Sequence, residues 1–185
     1  DIAIATVNHI SKEEYNFFAL IREQDKSSEL SELGVDVTIG DATSEEDIKN
    51  FVTSVKDSGE IHGVLHCVGS FAVRPPHAMN KEAFESVIST NLTSAFLTLS
   101  IAGKAMLSQG HGRMVFMSSV AGSLGLVNHE AISAAKGGVE SMVRSAAATY
   151  ANRGLRINAV APGLTDTKLA SPIMSNETAS QAASQ

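Results

Sequence analysis

Ser118 and Ser119 follow directly on an apolar run at residues 113–117. Two hydroxyls therefore stand where a strand ends, able to donate to and polarise an oxygen on a bound ligand. Gly69 ends the apolar run 61–68; lacking a Cβ, it permits either a tight turn or the close approach of a ligand to the backbone. Asp41, just past the run 35–39, is placed to cap the next helix or to accept a hydrogen bond from a ligand. Pro162-Gly163 makes a rigid turn followed by Leu164 and three hydrogen-bonding side chains, Thr165, Asp166 and Thr167. At about 100° per residue, His129, Ile132, Ser133 and Lys136 share one helix face. The set joins an ammonium to an imidazole, two side chains that can hold or transfer a proton.

The elements that must position these residues alternate between short apolar runs and helical patterns. The β-branched run 2–7, then 35–39, 61–68, 113–117 and 155–160, read as strands. Residues 11–31, charged with scattered Tyr15, Phe17, Phe18, Leu20 and Ile21, read as a partly exposed helix. Helices are also expected over 43–55, opened by Ser44-Glu45-Glu46-Asp47, and over 80–107 and 128–151. The tail from Asp166 reads as loop with weak helix. Continuous apolar strands separated by helices imply an α/β fold, a doubly wound parallel sheet of Rossmann-like type. Ligands of such sheets sit beyond the carboxyl ends of the strands, where the residues above are found.

Composition bounds the function. The chain has 185 residues, 43% hydrophobic and 18% charged, which suits a single packed domain and excludes disorder and fibrous repeats. Its net charge of -6 is opposite to that of a nucleic-acid binder. The single Cys67 excludes an intrachain disulfide or a multi-cysteine zinc site and fits a reducing, cytoplasmic setting. The N-terminus lacks the layout of a signal peptide. The uncharged stretch 86–103 is interrupted by eight Ser, Thr and Asn residues, too polar for a membrane span.

Taken together the strand ends resemble those of the short-chain dehydrogenase/reductase family. Arg113-Met-Val-Phe-Met-Ser-Ser-Val-Ala-Gly122 is similar to its catalytic-serine strand, and Ser133-Ala-Ala-Lys136 to the end of its Tyr-x-x-x-Lys helix. Arg156-Ile-Asn-Ala-Val-Ala-Pro-Gly163 is similar to its final cofactor-contacting strand and turn. Asn91-Leu-Thr matches its helix asparagine, and His66-Cys-Val-Gly69 stands where the family has Asn-Asn-Ala-Gly. The resemblance implies an NAD(P)(H)-dependent oxidoreductase acting on a carbonyl, alcohol or enoyl group of a small molecule. Ser119 would hold the substrate oxygen, Lys136 the nicotinamide ribose, and Asn91 a proton-relay water. Asp41 with Ala42 would meet the adenine and Gly69 the ribose. The turn at Pro162 and Gly163, with Thr165 and Thr167, would meet the carboxamide and pyrophosphate. The resemblance also implies a dimer or tetramer through helices 80–107 and 128–151, whose small and apolar residues suit burial on two sides.

The sequence departs from the family pattern in three places. The tyrosine four residues before the lysine is Ile132, which carries no proton. An enoyl-reductase branch of the family places its tyrosine seven residues before the lysine, here His129, the candidate proton donor. The glycine-rich phosphate turn after the first strand is missing. Residues 2–7 instead stand where the family's second strand selects the cofactor: an Asp there favours NAD(H) and a nearby Arg NADP(H). Thr6, Val7, Asn8 and His9 include no acidic side chain, so Thr6 is a cofactor candidate and NADP(H) is favoured over NAD(H). Finally, Gln185 falls where the family has its substrate lid, so the expectation is a single domain, 1–185, lacking its first strand with the phosphate loop and its last helix and strand. The rival reading is a catalytically inactive member that senses a nucleotide or binds a partner.

Overall fold

The computed structural model describes residues 2–10, 14–23, 27–167 and 169–171. In chain order these form α1 (Ile2–His9), β1 (Phe17–Ile21), α2 (Ser27–Glu32), β2 (Val35–Ile39), α3 (Glu45–Ser58) and β3 (Gly63–His66). They continue with α4 (Lys81–Ile88), a π-helical turn (Ser89–Thr93), α5 (Ser94–Gln109), β4 (Gly112–Met117), α6 (Glu130–Tyr150) and β5 (Leu155–Val160). All strand pairs are parallel, as the continuous apolar runs require.

Two expectations near the N-terminus are corrected. Residues 2–7 are not a strand but most of α1, in which Thr6 Oγ1 donates to the Ile2 carbonyl at 2.8 Å. The β-branched bias of Ile2, Ile4, Thr6 and Val7 misleads because helix propensities differ by under about 1 kcal/mol per residue, so context decides. Residues 11–31 are not one helix: the compact run Phe17–Ile21 is a strand, in register with Val35–Ile39, and α2 follows it. The strand beside β2 therefore ends at Ile21-Arg22, not at Thr6, and Thr6 does not stand at a strand end.

The described strands form two sheets, β1-β2 and β3-β4-β5, rather than one continuous sheet. The main core joins Ile48 and Val52 of α3, Leu99 and Met106 of α5, Met114 and Phe116 of β4, Val139 and Val143 of α6, and Leu155 and Ile157 of β5. Gly112 has no room for a Cβ, which would strike the Met106 side chain. Ser44 caps α3, accepting from the Asp47 amide at 3.2 Å, with Glu45, Glu46 and Asp47 in the first turn, where the helix dipole favours them.

The helix expected over 80–107 is interrupted by the π-helical turn around Asn91. Ser89, Thr90, Asn91 and Thr93, whose side chains compete for backbone groups, fall together there. By length and composition the run Lys81–Gln109 is long and apolar enough to cross a membrane. In the fold its Ala95, Leu99, Ala102, Ala105 and Met106 fill the core, and it buries Asn91 and Ser94. Residues 172–185, expected as loop with weak helix, lie outside the described residues.

Candidate active site

Three parallel strands deliver their last residues to one edge, and there Gly69, Asn91 and Lys136 meet. A methyl group on Gly69 would lie 3.1 Å from Asn91 Oδ1 and 3.5 Å from Lys136 Nζ. Asn91 is fully buried and its amide is used three ways. Nδ2 donates to Ser70 Oγ at 2.8 Å and to the Val87 carbonyl at 3.0 Å, while Oδ1 accepts from the Ser70 amide at 3.1 Å. The clamp ties the loop after β3 to the π-helical turn, and Ser70 was not singled out by the sequence.

Lys136, 7% exposed on α6, donates from Nζ to the Met117 carbonyl at 2.8 Å. Burial pulls its ammonium down from 10.5 to about 8, with the Cys67 thiol opposing the shift. An ammonium has three N–H donors, so two remain for a ligand. The same enclosure pushes the Cys67 thiol up, chiefly by burial, against the pull of Lys136. His66, at the end of β3, is held near 4 by burial and then by the Lys136 charge. Its Nε2 lies 3.1 Å from Ser94 Oγ, which itself donates to the Thr90 carbonyl at 2.6 Å. The imidazole is therefore neutral with its proton on Nε2, structural rather than ligand-facing.

Ser119 follows β4 and opens a 3-10 turn, Val120–Gly122, its Oγ accepting from the Ala121 amide at 3.2 Å. That leaves the Ser119 O–H proton to donate outward. Ser118 turns the other way: its amide bonds the Val160 carbonyl, and its Oγ reaches the Lys136 carbonyl at 3.1 Å and Glu140 Oε1 at 2.8 Å. The 3-10 turn lies directly on α6, since a Cβ on Gly122 would come within 3.0 Å of Gly137 N and the Lys136 carbonyl carbon. Glu140, Gly122 and Gly137 are further site-supporting residues that the sequence did not single out.

Ile132 is 6% exposed and packs with Val87, Ala121, Ala131 and Ala135, an apolar wall one turn before Lys136. His129 caps α6 by position only, with no side-chain cap bond. Its Nδ1 bonds the Val127 carbonyl at 2.7 Å, not Ser119 or Lys136. Seven helical residues separate it from Lys136, about 10 Å along the axis.

Asp41 neither caps α3 nor stands free. Its Oδ1 accepts from the amide and hydroxyl of Thr43, both at 2.8 Å, across the turn that contains Ala42. Those bonds, and to a smaller extent the Arg22 charge, hold its carboxyl below the usual value, against the effect of burial. Arg22, exposed at the end of β1, is a cation near the strand ends that the misplaced strand concealed. After β5 the Pro162 carbonyl accepts from the Val120 amide at 3.0 Å, joining this turn to the Ser119 segment. Gly163 and Thr165 are exposed; Thr165 donates to Gly163 and Thr167 to Thr165, both locally.

A family model described as enoyl-(acyl carrier protein) reductase matches residues 1–185. Levodione reductase of Leifsonia aquatica is 35% identical over 128 residues, 68% of this chain and 48% of that protein. Cis-4-hydroxycyclohexanecarboxylate dehydrogenase of Sinomonas cyclohexanicum is 41% identical over 111 residues, 60% of this chain and 45% of its own length. The chain thus spans about half the length of these curated relatives. Among solved structures, that of levodione reductase superposes with a TM-score of 0.88 at 28% identity, covering 98% of this chain and 76% of that one. An actinorhodin polyketide ketoreductase with NADPH gives 0.89 at 26% identity, over 96% and 71% respectively. With its serine segment, helix lysine and buried asparagine assembled at the carboxyl ends of parallel strands, the chain is a member of the short-chain dehydrogenase/reductase family.

Proposed function

We propose that the protein is an NAD(P)(H)-dependent oxidoreductase that interconverts a carbonyl and an alcohol, or reduces an enoyl group, on a small molecule. The observation that carries the reading is the meeting of Gly69, Asn91 and Lys136, residues far apart in sequence, around one bare stretch of backbone. The residues present fit a dinucleotide. Gly69 offers uncovered backbone, Lys136 two spare donors, Arg22 an exposed cation beside Asp41, and residues 163–165 an exposed turn. The nicotinamide supplies the hydride when bound. Ser119 polarises the substrate oxygen through its outward O–H, and Lys136 orients the nicotinamide ribose while its charge favours the developing oxyanion. Asn91, held by Ser70, fixes the wall beside them. With Ile132 unable to donate, His129 supplies the proton, directly or through water. Its Nδ1–H is engaged by Val127, so Nε2 is the exchanging atom.

Arg22 favours NADP(H), because a guanidinium at the end of the second family strand pairs with a 2′-phosphate as no neutral residue does. The actinorhodin ketoreductase structure contains NADPH. Phe71 and Val73 after β3, Leu124, Leu126 and Val127 before α6, and Leu164 after β5 are exposed. They favour a substrate with an apolar body, in keeping with the names of the levodione and hydroxycyclohexanecarboxylate relatives.

The chain forms one Rossmann-like domain in this reading, its described strands lying in the sheets β1-β2 and β3-β4-β5. Helices 80–107 and 128–151 pair two or four copies, a reading supported by Phe96, 55% exposed on α5. A cytoplasmic location fits the single Cys67.

Nicotinamide absorbance followed across a panel of ketones, alcohols and enoyl compounds tests the function. Turnover lost in Lys136→Ala is the expected result. Cofactor binding without turnover on any compound overturns it in favour of a nucleotide-binding sensor. Retained turnover in His129→Ala removes the histidine alone.

A further inference from the structure

Glu140 has no part in the reaction proposed above, yet it is the most heavily bonded carboxylate near the site. Its side chain is 18% exposed on α6, one turn after Lys136. Oε1 accepts from Ser118 Oγ at 2.8 Å and from Ser123 Oγ at 3.1 Å; Oε2 accepts from Ser123 Oγ at 2.9 Å. Arg144, one turn further on, holds its guanidinium 3.9 Å from Oε2. Ser118 and Ser123 are the two ends of the segment whose second residue is Ser119. Ser118 Oγ also lies 3.1 Å from the carbonyl of Lys136 itself.

Between these anchors Ala121 packs on Ala131, Ile132 and Ala135, while at Gly122 and Gly137 backbone meets backbone. A Cβ on Gly122 would sit 2.9 Å from Glu140 Oε1 and 3.0 Å from Gly137 N, and one on Gly137 would sit 3.1 Å from the Gly122 carbonyl. The Gly122–Gly137 contact gives little lateral restraint of its own, since it lacks interlocking side chains. Hydrogen bonds to an ionised carboxylate are short and directional and supply that restraint. Lys136 is fixed on the other side by Met117, the last residue of β4. The Ser119-to-Lys136 spacing is therefore bridged twice, by the Lys136–Met117 bond and by the Glu140 carboxylate.

We propose that Glu140 is a positioning residue: its carboxylate clamps residues 118–123 onto α6 at both ends and so sets where Ser119 stands relative to Lys136. The proposal rests on the reading of Ser119 and Lys136 as the pair that acts on substrate. Glu140 touches neither reacting group, so its effect falls on the chemical step and not on cofactor affinity.

The test compares the full-length protein with Glu140→Ala, Glu140→Gln, the Ser118→Ala/Ser123→Ala pair and Arg144→Ala. NADPH affinity is read by fluorescence, kcat and KM by steady-state rates, and amide exchange of residues 120–122 by mass spectrometry. A misplacement near 1 Å costs about a hundredfold in rate. Glu140→Ala should accordingly lose about tenfold or more in kcat, while NADPH affinity stays within about twofold. Exchange at residues 120–122 should rise. Glu140→Gln keeps an acceptor oxygen and should restore most of kcat, and Arg144→Ala should match the parent. The double serine variant removes the clamp from the other side and should reproduce Glu140→Ala even where that protein folds poorly. Parental kcat in Glu140→Ala, a glutamine variant as slow as the alanine one, or unchanged exchange at 120–122 overturns the proposal. A parent protein that binds NADPH without turnover removes the catalytic reading instead. The exchange measurement then decides the clamp by itself, faster exchange supporting it and unchanged exchange overturning it.

Discussion

The Lys136 ammonium donates to the Met117 carbonyl at 2.8 Å, tying the middle of α6 to the last residue of β4. One hydrogen bond does not replace the water that burial removes, and the amine titrates near 8 instead of 10.5. The depressed value fixes the sign of a stability effect. Between about pH 8 and 10.5 the unfolded chain holds a proton that the folded chain has released, so the Lys136 contribution to stability rises with pH. Below that window the full cost of burying the charge is present, on the order of 3 kcal/mol as an upper bound. Urea unfolding of the parent and of Lys136→Met, compared from pH 7 to 10.5, should show the advantage of the methionine variant shrinking through the window. A constant difference would contradict the buried ammonium.

His66 titrates in the opposite part of the scale. Held near 4 against an ordinary 6.5, it stays neutral in the fold while the unfolded chain takes up a proton. Its contribution is therefore complete above about pH 6.5 and lost as the pH falls toward 4, by up to about 3 kcal/mol. Asparagine, the usual residue of the family at this place, does not titrate. His66→Asn should flatten the slope of unfolding free energy between pH 6.5 and 4.5, read by urea denaturation at fixed ionic strength. An unchanged slope would mean that other groups govern the acid side.

The strands that carry the site were legible because buried parallel strands are unbroken apolar runs: Leu155–Val160 was placed residue for residue, and the β4 run to within one residue. Gly69 and Ser119 stand out for a related reason, since each follows such a run, whereas Asn91 and Lys136 lie within helices and are singled out only by the family resemblance. Residues 2–23 were not. Ile2, Ile4 and Val7 carry a strand-like bias, but nothing local states that these residues join a helix, while Phe17–Ile21 is a strand by virtue of its partner Val35–Ile39. Ser70 and Glu140 were invisible for another reason. Their importance lies in the groups they bond, 21 residues away for Ser70 and 17 and 22 away for Glu140, and no spacing rule reports that. The Gly122–Gly137 approach is likewise a property of two backbones in contact.

With Phe17–Ile21 and not residues 2–7 as the strand beside β2, the proposed function assigns cofactor selection to a different residue. Arg22 is that residue, exposed and close enough to lower the Asp41 carboxyl. A guanidinium–phosphate hydrogen bond contributes about 1.5–3 kcal/mol, a factor of roughly 10 to 100 in affinity. Arg22→Ala should weaken NADPH by that factor and leave NADH within about twofold. Paired fluorescence titrations measure the ratio directly. An unaltered NADPH-to-NADH ratio would assign the preference elsewhere.

Ile132 offers the sharpest chemical test because it stands one helical turn before Lys136, in an apolar wall made by Val87, Ala121, Ala131 and Ala135. A phenol introduced there enters a well-packed site, at a cost of about 1–3 kcal/mol from overpacking. Its hydroxyl would stand beside an ammonium that lowers the pKa of a neighbouring acid. A positioned general acid contributes about 10²–10⁴ in rate. Ile132→Tyr should therefore raise kcat by tenfold or more despite a lower melting temperature, and should add an ionisation to the pH–rate profile. The same substitution separates the candidate donors. If His129 supplies the proton in the parent, His129→Ala is slow, and adding Ile132→Tyr to it restores turnover. If both histidine variants match their parents, the proton comes from water, and His129 is a loop residue bonded to Val127.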